Sequence, residues 1–359
     1  MHILELNFEK RWRGGERQTI YGIQGFQKAG HQSTLLCRKG SPLARNAKDA
    51  GISLIECKNV FDLIINIFKI ARLFDVLHCQ TSNTLTYCLA TRWHHKKPVV
   101  LSRRVSYVPA GYFSILKYRK TDKVIAISNQ VKEILVSIGV LNVSVISDIA
   151  VPLETDKIRA SHFFETYKCS GLKIIGTMAA FEPEKDPFTM IEAIKELYTL
   201  RKNFIFFHFG NGSMLAQAQA LIETYGLEKI YITPGFMSNV HDFFPKLDVF
   251  AFSSVEEGLG SSVLDAFLYE IPVASTDGGG LKDLVTSLRG LISRIRDARQ
   301  LASNIEILLT QESLTKKLVE NAFDYVTKMH SMDYITSKYI IEFEKLLASR
   351  SLNPVKVRS

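Results

Sequence analysis

Glu257 and Asp265 stand eight positions apart in the run EEGLGSSVLDAFLYEIPVASTDGGG, residues 256–280. Between them lie Gly258, Gly260, Ser261 and Ser262, and Gly278-Gly279-Gly280 closes the segment. VFAFSS before it reads as a buried strand and SVLDAFLYE as a helix, so Glu257 falls at a strand's carboxyl end, where open parallel sheets bind ligands. Gly258 and Gly260 keep the turn open. The backbone N–H groups of Gly260, Ser261 and Ser262 then open a helix, an arrangement suited to a phosphate. Asp265 has two readings on residues alone: a ligand contact, or the second half of a capping box begun by Ser262.

Other strand ends carry weaker signals of the same kind. RWRGGERQT follows HILEL, and its Gly14-Gly15 pair stands ahead of a helix, where backbone can approach an anion. Gly210-Asn211-Gly212 follows FIFFHF, and Gly235-Phe236 follows YITP. A base or ribose could rest on either, and each is equally a turn. Lys185, in FEPEKD just before a helix, can reach a phosphate as a point charge or stand in solvent as a loop lysine. None of these is a GxGxxG or Walker A sequence, so a standard dinucleotide or P-loop site is not supported.

These groups need a parallel sheet to hold them. Apolar strand-like runs alternate with helical patterns along the chain, the rhythm of a sheet covered on both faces. HILEL leads to a helix at 15–29 and then STLLC; a helix at 59–73 precedes DVLHC; a helix at 83–92, PVVLS and KVIAIS follow. LKIIGTM opens a second series, with helices at 187–200, 212–225 and 261–269 between FIFFHFG, KIYITPG, VFAFSS and IPVAST. The polar stretch at 150–170 loses the period and marks the junction. The expectation is an α/β protein of two doubly wound domains, 1–155 and 165–330, with a last helix at 331–349 and a frayed, basic end, SRSLNPVKVRS. The segment FDLIINIFKIARLF, with Lys69 and Arg72, reads either as a membrane-surface helix or as a crossover helix packed on the sheet, which the strand DVLHC directly after it favours.

Length agrees with two cores: 359 residues suit two domains better than one. No apolar run approaches the ~20 residues of a membrane span, and MHILELNFEK reads as a strand rather than a secretory signal. A cytoplasmic protein is expected. Five scattered cysteines without a CxxC pair exclude a disulfide framework or zinc ribbon; they are expected to be reduced and buried. The formal charge of +9 suggests an anionic partner (nucleotide, phosphorylated acceptor, lipid head group or nucleic acid) or simply a solvated basic face.

The run EGLGSSVLDAFLYEIPVASTDGGG resembles the EGFG…E…G-PV-A…GG signature of retaining glycosyltransferases of the GT-B fold, family 4 (glycosyl transferases group 1). Gly14-Gly15-Glu16-Arg17 is similar to the family's N-terminal glycine loop, and DVLH, KVIAIS, FEPEKD, FGNGS and GFMSNV fall in its order and spacing. The resemblance covers nearly the whole chain. It implies two Rossmann-like domains facing across a cleft, the second holding a nucleotide sugar, UDP- or GDP-linked, and the first an acceptor. It implies that Glu257 contacts the donor sugar, that Asp265 holds the ribose hydroxyls, that Lys185 binds phosphate, and that Gly14, Gly15, Gly210, Asn211, Gly212, Phe236, Gly258, Gly260, Ser261 and Ser262 line the donor. It places His78 on the acceptor side, where a buried core histidine is the competing reading.

Two positions depart from the family. An arginine usually stands five residues before the phosphate-binding lysine, and here that position is Ala180. A first-domain histidine after the strand PVVLS is replaced by Arg103-Arg104. The expectation is that Arg103 or Arg104 supplies the missing guanidinium as charge builds on the leaving phosphate. No DxD motif occurs in a suitable loop, so no metal and no cofactor are expected. The basic stretches RWHHKK, RR and KYRK suit an anionic glycolipid, an envelope polysaccharide or lipopolysaccharide intermediate, at a membrane surface; nucleic acid is not expected. The rival readings are a nucleotide-sugar epimerase of the same fold and a non-catalytic nucleotide-sugar or nucleic-acid binding module.

Overall fold

A computed structural model describes residues 1–352; of the basic end, residues 353–359 lie outside the described residues. The chain divides into two compact units, Met1–Ile149 with the chain from His330 onward, and Ala150–Met329.

The first unit is built on seven parallel strands: β1 (His2–Asn7), β2 (Gln32–Arg38), β3 (Leu54–Cys57), β4 (Val76–Cys79), β5 (Val99–Arg103), β6 (Lys123–Ala126) and β7 (Val143–Val145). Their order is β3-β2-β1-β4-β5-β6-β7. The second unit has six: β8 (Lys173–Met178), β9 (Phe204–Phe209), β10 (Tyr231–Gly235), β11 (Val249–Phe252), β12 (Val273–Thr276) and β13 (Leu291–Ser293), in the order β10-β9-β8-β11-β12-β13. The strands read as unbroken apolar runs because both faces are covered by helices. FIFFHF in β9 is buried at every position. Each sheet reverses its winding once, between β1 and β4 and between β8 and β11. At these points the strand-end loops diverge and leave a crevice for a ligand.

The second unit departs in two places from the sequence expectation. The junction is not aperiodic: Asp156 accepts from the Arg159 N–H at 2.9 Å and caps a helix, Lys157–Thr166. That helix presents Phe163 to Phe207, Phe209 and Phe243, with ring centroids 5.6, 5.8 and 4.5 Å away. Aromatic packing, not period, signals it. The helix expected at 212–225 begins only at Leu215, because Gly212 and Met214 are spent in a turn against Phe181.

The last helix, Met332–Leu352, packs on the first unit. Tyr339 and Phe343 close over Phe26, at 6.1 and 5.7 Å between centroids. Thr336 occupies the space beside Gly25, where any Cβ would lie 2.0 Å from its hydroxyl. Lys28–Asp333 and Lys123–Glu342 ion pairs, both at 2.7 Å, flank this seam. All five cysteines are free and buried.

Candidate active site

In the second unit, the loops after β8 and β11 are stapled together. The loop from β8 ends in a tight turn, Pro183–Lys185. Asp186, at φ 47° in the left-handed region, then caps the helix Pro187–Leu200 by accepting from the Thr189 N–H and hydroxyl at 3.3 and 2.6 Å. The strained cap fixes where Lys185 leaves the chain. Across from it, the Ser253 hydroxyl lies 3.0 and 2.9 Å from the carbonyls of Lys185 and Asp186, and the Val255 N–H donates to Glu184 O at 3.0 Å.

This staple brings Lys185 to Glu257. The ammonium donates to Glu257 Oε2, and the Ser254 hydroxyl donates to the same oxygen at 3.3 Å. Both charged side chains are mostly covered but still reach solvent. Partial desolvation strengthens their mutual attraction and that of either one for an incoming charge. The Lys185 ammonium also lies 5.5 Å from the Phe252 ring centroid.

Beyond Glu257 the chain turns at Gly260, φ 102°, into the helix Ser261–Leu268. Among the described residues, no backbone carbonyl accepts from the N–H groups of Gly260, Ser261 or Ser262. These are the unspent donors of a helix start, directed at whatever lies over the strand ends. The N-cap is Gly260, so Ser262 lies inside the helix and the Ser262–Asp265 capping box does not form. Asp265 sits half-buried one turn further on.

The glycine clusters have a packing cause. A Cβ on Gly278 would lie 2.0 Å from Ser254 O, and one on Gly280 2.3 Å from Gly258 O. The Gly280 N–H donates to Glu257 O at 2.8 Å. The triple glycine lets the turn after β12 press against the Glu257 loop and hold it. Gly210 and Gly212 do the same beneath the β8 loop, where added Cβ atoms would lie 1.9 and 2.2 Å from Ala179 O and Phe181 O. Their bare faces meet protein backbone, so close loop packing alone accounts for both glycines. Asn211 lies over Gly235, and Phe236 beyond it is exposed. Glu182 holds the same turn by accepting from the Ser213 N–H and hydroxyl at 3.1 and 2.6 Å.

In the first unit, β1 runs into the helix Gly14–Lys28. Glu16 accepts from the Arg13 N–H at 2.9 Å and from Asn7 Nδ2 at 3.3 Å. Burial pushes the Glu16 carboxyl above its usual range. Nothing lies within 4 Å of a Cβ placed on Gly15, so this helix start is open.

His78 is not a surface group. It is 2% exposed in β4, with Nδ1 2.8 Å from Glu5 and Nε2 2.8 Å from the Ser102 hydroxyl. Register places Glu5 opposite His78 on adjacent strands. Ser102 reaches Tyr339 at 2.9 Å, Gln80 donates to Glu5 at 2.7 Å, and Arg104 Nη1 donates to Gln80 Oε1 at 2.6 Å. Arg104 Nε also donates to Asp148 at 3.0 Å. Arg104 is thus part of a buried network. Arg103, 2% exposed, donates to the Tyr118 hydroxyl at 2.5 Å and to the Tyr107 carbonyl. Its guanidinium is packed between those two tyrosine rings. In the free chain its guanidinium is held by these partners within the first unit.

Sequence reasoning missed Ser253, Ser254, Glu182, Glu5, Gln80 and Asp148. Ser253-Ser254 carried a signal, two hydroxyls directly after a buried strand. The others are polar residues whose partners lie far off in sequence. Among the described residues, no group of three or more His, Cys, Asp or Glu side chains is arranged to hold a metal ion.

Two family models match in tandem: Glycosyltransferase Family 4 over residues 12–148 and Glycosyl transferases group 1 over residues 159–325. Among curated relatives, a Campylobacter jejuni GalNAc-alpha-(1->4)-GalNAc-alpha-(1->3)-diNAcBac-PP-undecaprenol alpha-1,4-N-acetyl-D-galactosaminyltransferase is 28% identical over 167 residues, 46% of this chain and 45% of that one. The lipopolysaccharide core biosynthesis glycosyltransferase LpsE of Rhizobium meliloti is 27% identical over 178 residues, 49% of this chain and 50% of that one. The chain therefore spans about half the length of the curated relatives it matches. Anabaena HepE, solved in complex with UDP and glucose, shares the fold at a TM-score of 0.85 and 16% identity, covering 96% of this chain and 100% of that one. With two parallel sheets of GT-B type and both family models in order along its length, the chain belongs to the glycosyl transferases group 1 family.

Proposed function

We propose that this protein is a retaining, metal-independent glycosyltransferase that moves a hexosyl group from a UDP-sugar to a hydroxyl of a lipid-linked or envelope saccharide. The observation that carries the reading is the Lys185–Glu257 pair beside the unspent amides of Gly260, Ser261 and Ser262 at the β8/β11 switch point. A sugar nucleotide presents what this constellation takes. Its diphosphate gains negative charge as the sugar carbon–oxygen bond breaks, and Lys185 with the helix start stabilises that charge. Glu257 accepts from sugar hydroxyls, and Asp265 from the ribose diol. Phe236 offers the base an exposed ring.

The acceptor hydroxyl attacks the anomeric carbon on the face that the diphosphate leaves, and its proton passes to the departing phosphate oxygen. The new glycosidic bond replaces the sugar–phosphate bond, and UDP is released. The UDP and glucose bound to HepE support the choice of donor. The undecaprenol-linked and lipopolysaccharide-core relatives support an anionic, lipid-linked acceptor met at a membrane surface. The first unit takes that acceptor in this reading.

The test is transfer of labelled sugar from UDP-glucose, UDP-galactose and their N-acetyl forms into glycolipid extracted from envelope membranes, without added metal. Transfer that fails in Glu257→Ala supports the reading. Interconversion of the donor sugar without any acceptor would replace it with an epimerase.

A further inference from the structure

The helix Val60–Ile70, which crosses from β3 to β4, is apolar on two opposite faces. Leu63 and Ile67 are fully buried and bind it to the sheet. At 100° per residue the opposite face carries Phe61, Ile64, Ile65 and Phe68. A surface helix normally turns polar residues outward. Here Phe61 stands 73% exposed, and Leu73, in the following turn, 71%. Trp93, 72% exposed, extends the same patch from the neighbouring segment. Phe68 lies 5.8 Å from Trp93 and stacks on His94 at 3.5 Å between centroids, and Arg72 Nε donates to His94 O at 3.0 Å. Lys69, Arg72 and Lys96 are exposed along the rim, with Lys97 half-buried beside them.

We propose that this face, Phe61, Phe68, Leu73 and Trp93 rimmed by Lys69, Arg72, Lys96 and Lys97, docks the protein on an anionic lipid bilayer. The proposal rests on the membrane part of the function above and names the surface responsible. Large apolar side chains, a tryptophan among them, suit the headgroup boundary, and the lysine and arginine rim complements anionic headgroups. The one acid on the helix, Asp62, is engaged at its start, where it accepts from the Lys58 N–H and from Asn66. The sheet packing and the outward apolar face are separate properties of one helix, so crossover and membrane roles do not compete.

The experiment uses the full chain carrying Trp12→Phe, which leaves Trp93 as the sole tryptophan. It is mixed with vesicles of phosphatidylcholine alone or with about 30% phosphatidylglycerol. The expected result is co-sedimentation and a blue shift of Trp93 emission with the anionic vesicles only, reversed as salt rises from about 0.1 to about 1 M. Phe61→Ser with Leu73→Ser should weaken partition about a hundredfold, and Lys96→Gln with Lys97→Gln about tenfold or more. No partition, or equal partition of the serine variant, overturns the proposal. So does self-association without lipid that Leu73→Ser abolishes, which would assign the face to a second copy. UDP titration of the same samples separates the two readings. UDP binding without partition removes the membrane face alone, and partition without UDP binding removes the donor site alone.

Discussion

Lys185 and Glu257 are joined by a hydrogen-bonded ion pair between loops that leave two adjacent strands, and the Ser254 hydroxyl shares the carboxylate oxygen. In the free protein the carboxylate holds the ammonium that the proposed chemistry directs at phosphate. The two side chains therefore separate in their effects. Glu257→Gln removes the competitor and should leave UDP affinity within about threefold while turnover falls about a hundredfold or more. Calorimetry and steady-state rates on the same preparation check this. A parallel loss of both would make Glu257 a uniform binding group.

Gly15→Ala provides a test of opposite sign. The added methyl meets nothing within 4 Å, in the first turn of a helix. Alanine should raise stability by roughly 0.5–1 kcal/mol. If the backbone at Gly15 approaches a substrate, the same change lowers turnover. Higher Tm with lower kcat/KM is the expected outcome; higher Tm with unchanged kinetics would remove Gly15 from the site.

Gly278→Ala should behave in the reverse way. Its methyl would lie 2.0 Å from Ser254 O, and backbone cannot yield as a side chain does. A loss of about 1–3 kcal/mol is expected, together with weaker UDP binding, because the displaced loop carries Glu257. Thermal unfolding and calorimetry read the two effects.

Arg104→Ala should cost stability before it costs chemistry. Arg104 is the ion-pair partner of buried Asp148 and also bonds Gln80, which is tied through Glu5 to His78. Leaving a buried carboxylate unpaired costs about 3 kcal/mol or more. His78→Phe should couple to it, the double variant losing less than the separate losses added together. A full loss of turnover at unchanged Tm would instead restore a direct catalytic role for Arg104.

His208 sets an acid limit. Burial against Phe181, with Tyr231 as its hydroxyl partner, depresses its pKa to about 3. The unfolded chain protonates near pH 6.5, so between that value and about 3 the unfolded state binds more protons. Stability from this group is full above about pH 6.5 and is lost progressively as pH falls, by about 2 kcal/mol at pH 5. His208→Gln should flatten that limb of the stability profile.

The parallel sheets were legible in the sequence because both faces are buried and the strands read as apolar runs such as FIFFHF. Lys185, Glu257 and the helix-start amides were legible as candidates because they fall in loops directly after such strands. The cause of the glycine clusters was not, since it lies in loop-to-loop contacts between Gly278 and Ser254 or Gly212 and Phe181. The partners of His78 and Arg103 were hidden for the same reason: Glu5 and Ser102 for one and Tyr118 for the other lie far off in sequence.

The central claim is that the Lys185 loop and the helix start at Gly260 bind a nucleoside diphosphate. Calorimetric titration of UDP, GDP and ADP into the wild-type chain and Lys185→Ala, without metal, tests it most directly. The account predicts selective UDP binding, weakened about tenfold or more in the variant. UDP binding of equal strength in both proteins, or none in a folded wild-type chain, would contradict it.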